Sequence, residues 1–73
     1  MREDDLLKIF GNNLHNERLK KNISIKELSK ITKIRESYLK KIELGEAKKI
    51  SSKYIIVLSD ALDIKPKELC KGI

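Results

Sequence analysis

The chain has 73 residues, a formal net charge of +6 and only 4% aromatic residues. That length allows one small domain, residues 1–73, whose core must be filled mainly by Leu and Ile. One cysteine, Cys70, and one histidine, His15, far apart in sequence, exclude an internal disulfide and leave no cluster of metal ligands. Cys70 reads as a small apolar residue and His15 as a surface residue of a helix.

The hydrophobic pattern is helical throughout, and the expected fold class is all-α. Helix 1 is expected from residue 4 or 5 to residue 21. Asp4 and Asp5 supply an N-cap and negative charge at the positive end of the dipole, and Lys20 and Lys21 stand at the other end. Leu7, Phe10 and Leu14 mark its buried face. Gly11 either lets another helix approach closely or ends a short first segment at Phe10.

Helix 2 has the sharpest start. Ser24-Ile25-Lys26-Glu27 is a capping box, with Ile23 and Leu28 placed for a hydrophobic staple, and the helix should end near Ile31. Helix 3 is expected over residues 35–44, with Ile34, Leu39 and Ile42 inward and Gly45 as its stop. Residues 46–50 form a loop. Ser51 or Ser52 caps helix 4, which runs to about Leu62. Residues 63–65 connect it to a short helix 5 with Pro66 in its first turn and Leu69 inside.

Residues 24–44 therefore make two short helices joined by Thr32-Lys33-Ile34, the spacing of a helix-turn-helix. The tight turn holds the second helix at a steep angle, so that its N-terminal half can enter a major groove ~12 Å wide. Charge agrees with this. Residues 30–53 carry eight basic side chains (Lys30, Lys33, Arg35, Lys40, Lys41, Lys48, Lys49, Lys53) against three acidic ones, while the flanking segments are nearly balanced. A basic stretch of this kind suits a polyanion.

The run Phe10-Gly11-Asn12-Asn13-Leu14, then Arg18, Ile23-Ser24, Glu27-Leu28, Leu39, Ile42-Glu43 and Gly45, resembles the Xre or Cro/cI type of repressor domain. Ala61-Leu62-Asp63-Ile64 and Glu68-Leu69 extend the resemblance, which covers residues 9–70. It implies a compact five-helix bundle of the lambda-repressor-like type, binding of double-stranded operator DNA, and a homodimer through helices 4 and 5. Controller proteins of restriction-modification systems and small phage repressors are short chains of this type. The apolar strip Ile64, Leu69, Cys70 and Ile73, joined by Tyr54 or Val57, would form the dimer surface or close the monomer core.

Carried over by position, helix 3 is the recognition helix. Arg35 and Lys41 would donate to guanine, and Glu36 would accept from cytosine. Ser37 would serve base or phosphate. Tyr38 would touch a thymine methyl or a phosphate, or cover the edge of the core. Lys40, Lys48 and Lys49 would contact phosphates, with Lys33 and Ser24 also at the DNA surface. Arg18 and Glu43 match a family ion pair tying helix 1 to helix 3. Ile25 stands where relatives often carry Gln, and Lys33 where they often carry Gly. A positive φ at Lys33 would cost roughly 1–2 kcal/mol.

The segment 32–43 is also similar to the variant of this fold in RodZ-type cell-shape proteins, where it binds the actin-like MreB filament. That similarity implies the alternative, a protein-binding adaptor of RodZ-like or antitoxin-like kind. No nucleophile–base pair and no phosphate-cradling Gly-rich loop stands out, so no enzyme activity, cofactor or small-molecule ligand is expected. The longest apolar run, residues 54–58, is far short of the ~20 residues of a membrane span. No secretory segment is visible, and a lone cysteine fits the reducing cytoplasm.

Overall fold

The computed structural model describes residues 3–73, with side chains from Asp5 onward. The described residues form five helices and no strand: α1 (Glu3–Lys20), α2 (Ile25–Thr32), α3 (Glu36–Glu43), α4 (Ser52–Ala61) and α5 (Pro66–Leu69). α1 packs on α3 and α5, α2 on α3 and α4, and α4 on α5. Phe10, Leu14, Leu28, Ile34, Leu39, Ile42, Ala47, Leu58, Leu62 and Leu69 form the shared core. A fully buried Leu or Ile contributes roughly 1.5–3 kcal/mol, which is how so short a chain with few aromatics reaches stability.

Several expected boundaries move. α1 already includes Glu3, so Asp4 and Asp5 stand inside the helix and not at its cap. Leu7, expected in the core, is only half-buried. Arg35 is not the first residue of α3 but its N-cap, with extended backbone and no side-chain capping bond. Of the two candidate caps for α4, Ser51 takes the role and accepts from the Tyr54 amide. Leu69, expected in an apolar strip on α5 or in the core, is completely buried, so it closes the monomer.

Three helix ends share one device. A residue just past the helix turns into the left-handed region, and its amide and the next one fold back onto free carbonyls. Asn22 (φ 57), Gly45 (φ 74) and Asp63 (φ 55) hold this position after α1, α3 and α4. At α3 the bonds are Gly45 N to Ile42 O, 3.0 Å, and Glu46 N to Lys41 O, 2.9 Å. Gly suits this conformation because it lacks Cβ, and Asn and Asp tolerate it.

Gly11 serves close approach, with α1 continuous through it. A Cβ built there would run into the Ile42 carbonyl oxygen and stand 2.9 Å from that of Glu43. The missing side chain lets the backbone of α1 lie directly on the C-terminal end of α3. Asn13 ties α1 to the C-terminal segment of the chain, donating from Nδ2 to the carbonyls of Leu69 and Lys71, each at 2.8 Å.

Candidate nucleic-acid interface

The interface is built around α3, and the turn before it is set by side chains. Ser24 caps α2: its Oγ accepts from the Glu27 amide at 3.0 Å, and its own amide donates to Glu27 Oε1 at 3.3 Å. Lys33 ends α2 with φ 65, its amide donating to Ser29 O at 2.8 Å. Thr32 Oγ1 donates to Leu28 O at 2.8 Å and accepts from the Ile34 amide at 3.2 Å. Ser29 Oγ donates to the Ile34 carbonyl. This stitching holds a left-handed residue in place without glycine, against the roughly 1–2 kcal/mol that a Cβ costs there.

α3 is then braced from two sides. On one, the Tyr38 ring meets Tyr54 of α4 edge to face, with centroids 5.6 Å apart and planes at 65°. The Tyr38 hydroxyl donates to the Lys49 carbonyl at 3.3 Å, fixing the loop after α3. The half-buried ring of Tyr38 packs against the edge of the core. On the other side, Glu43 closes α3 against α1. Arg18 Nε donates to Glu43 Oε2 at 2.7 Å and Nη2 to Oε1 at 3.1 Å, with both side chains nearly buried. Arg18 Nη1 also reaches the Ile23 carbonyl at 2.9 Å, before α2.

His15 lies at the surface of α1, as expected, with its side chain 44% exposed, and it also has a partner: its Nδ1 lies 2.7 Å from Glu43 Oε1, so it shares the carboxylate with Arg18. The available signal was its spacing, three residues before Arg18 on one helical face.

Between these braces, α3 shows solvent an outer face of polar side chains. Arg35, Glu36, Ser37, Lys40 and Lys41 are all exposed. Lys33, Arg35, Ser37, Tyr38 and Lys41 come together along one open groove, with Ile34 and Tyr54 as its floor and wall. Lys40 stands apart, on the flank toward α1, beside Asn12, His15 and Ile25. Lys48 and Lys49 are exposed in the loop before α4, and Lys49 lines a separate apolar groove with Leu6, Phe10 and Ile73. Ser24 is exposed, but its hydroxyl is engaged by the cap. Ile25 is half-buried against the core.

Among the described residues, no ion pair engages Lys33, Arg35, Lys40, Lys41, Lys48 or Lys49. Unpaired cations beside a helix that fits a major groove can release counterions from phosphates and donate to base edges. The charges also suit the helix itself, with Glu36 in its first turn and Lys40 and Lys41 in its last. No group of three or more potential ligands that could hold a metal ion occurs among the described residues. No helix among them is long and apolar enough to cross a membrane.

The family model described as helix-turn-helix matches residues 14–69. The structure is similar to that of the restriction-modification controller protein C.AhdI from Aeromonas hydrophila, with a TM-score of 0.81 and 35% identity, over 86% of this chain and 94% of that one. It is also similar to the clp gene regulator ClgR from C. glutamicum, with a TM-score of 0.84 and 25% identity, over 89% of this chain and 82% of that one. No curated protein sequence matches the chain.

Proposed function

The chain belongs to the helix-turn-helix family and is a DNA-binding transcription regulator; we propose that it acts by occupying duplex operators, reading bases with α3 and catalysing no reaction. One observation carries this: Arg35, Ser37 and Lys41, with Lys33, line one side of a braced helix with their polar ends free. Arg35 and Lys41 are the donors to guanine edges, Glu36 the acceptor toward cytosine, and Ser37 an adaptable contact. Lys33, Lys40, Lys48 and Lys49 neutralise phosphates and set the position of the domain on the duplex. Ser24 contributes through the start of α2, its hydroxyl being held by the cap.

Two copies pair through α4 and α5 and place their α3 helices in successive turns of the major groove. Ile56 on α4, 53% exposed, supports such a surface, as does the half-buried Ile64 between the two helices. The site of action is the cytoplasm, where the DNA lies.

Selection of bound duplexes from a random pool tests the whole reading. The expected result is a palindromic consensus whose half-site centres lie about one helical turn, ~34 Å, apart. In a gel shift with that duplex, Lys40→Ala combined with Lys41→Ala weakens binding at least about tenfold, equivalent to roughly 1.4 kcal/mol. Unchanged affinity removes α3 as the reader. Enrichment of no duplex at all, together with capture of a protein partner, favours the adaptor function instead.

A further inference from the structure

His15 is tied to the recognition helix in a way that the DNA reading leaves unused. Glu43 is the last residue of α3, and its side chain is only 8% exposed. Its two oxygens receive three nitrogens: Arg18 Nε on Oε2, and both Arg18 Nη2 and His15 Nδ1 on Oε1. An ionised carboxylate can only accept, so the proton of this contact sits on Nδ1 and His15 donates. Arg18 Nη2 lies 3.3 Å from the same ring nitrogen; two donors therefore converge on one oxygen from different directions.

The two donors do different work. Arg18 grips one edge of the carboxylate, is itself nearly buried, and also holds the Ile23 carbonyl. His15 has a side chain 44% exposed, and its hydrogen bond to α3 is the one to Glu43 Oε1. The bidentate fork of Arg18 fixes both the distance of Glu43 from α1 and the in-plane orientation of its carboxylate. His15 adds a third donor that resists rotation of the carboxylate about that fork, and with it a change in the tilt of the helix that carries it.

We infer that His15 is a positioning residue for base reading: it sets the angle of α3 through Glu43 and so governs discrimination between sequences more than overall affinity. The inference rests on the DNA-reading function proposed above. The physical reason lies in geometry. α3 has eight residues, so it is about 12 Å long, and a tilt at its C-terminal end moves every reading side chain. Base-edge hydrogen bonds tolerate only a few tenths of an ångström. Phosphate contacts made by long lysine side chains adjust to such a shift.

The test compares His15→Ala with His15→Asn, whose amide can donate from near the Nδ1 position. Dissociation constants are measured by fluorescence anisotropy for the duplex selected by the wild-type protein and for a random-sequence duplex of equal length. His15→Ala is expected to weaken binding to the selected duplex by about tenfold, the scale of one hydrogen bond to a charged group. Binding to the random duplex stays within about twofold, and His15→Asn restores most of the loss. In the free protein, amide hydrogen exchange over residues 39–46 rises in His15→Ala and returns in His15→Asn.

Equal losses on both duplexes, no rescue by Asn, or unchanged exchange would each overturn the inference. A His15→Ala chain that is unfolded at room temperature also overturns it, because His15 would then hold the fold and not the angle of a helix. If the wild-type protein enriches no duplex, the DNA reading fails by itself, and the exchange measurement alone decides whether His15 holds α3.

Discussion

The inner and outer sides of α3 are built to opposite rules. The inner side is overdetermined: Gly11 brings the backbone of α1 against the carbonyls of Ile42 and Glu43, Arg18 and His15 share the Glu43 carboxylate, and Gly45 closes the last turn. The outer side carries no such constraint, with Arg35 capping without a side-chain bond and Ser37, Lys40 and Lys41 exposed. Fixed geometry on one side lets free donors on the other be aimed. A helix loose on both sides would lose entropy on meeting DNA, and one paired on both sides would have nothing left to donate.

The sharpest way to break this contrast is to remove a partner on the fixed side. Glu43→Ala leaves Arg18 nearly buried without its carboxylate, and such a loss costs roughly 3–5 kcal/mol. A domain of this size holds about 4–11 kcal/mol in total, so urea denaturation should show a midpoint reduced by roughly a quarter or more, or a chain unfolded at 25 °C. A midpoint within a few tenths molar of wild type would mean that the pair is decorative.

Gly11→Ala has a smaller effect in the same place. Alanine gains about 1 kcal/mol of helix propensity, but its methyl group meets backbone carbonyls that no side-chain rotation can move. Overpacking of this kind costs roughly 1–3 kcal/mol, so a lower melting temperature is expected, against the increase that propensity alone gives. An increase would show that α1 and α3 can separate freely.

Lys33→Gly touches the other region and should split stability from binding. Relief of the left-handed lysine gains roughly 1–2 kcal/mol, offset in part by the larger unfolded-state entropy of glycine. The net gain expected in thermal unfolding is up to about 1 kcal/mol, while affinity for the selected duplex falls through loss of a phosphate contact. Stability and affinity moving together in either direction would count against the division of labour drawn here.

Much of the fold could be read before any coordinates. Ser24 and Glu27 announced α2, Gly45 announced the end of α3, and Pro66 placed α5, because caps and stops are satisfied by residues two to five positions away. The same local logic would have found Asn22 and Asp63 as stops, had their tolerance for positive φ been weighed. The candidate site was only half legible. Its residue types stood in the sequence, and resemblance pointed to Arg18 with Glu43. That Lys40 and Lys41 face different flanks, or that Tyr38 is held by Tyr54 and Lys49, follows from no local pattern.

The sequence by itself determined the order of the five helices, the short turn between α2 and α3, and the concentration of positive charge around them. These depend on neighbours along the chain. The tertiary structure alone decided that Gly11 is a contact and not a break, that Leu69 belongs to the monomer core, and that His15 reaches Glu43 across 28 residues. Hydrogen bonds and close packing act over a few ångströms of space, so partners far apart in the chain are settled only when the helices have docked.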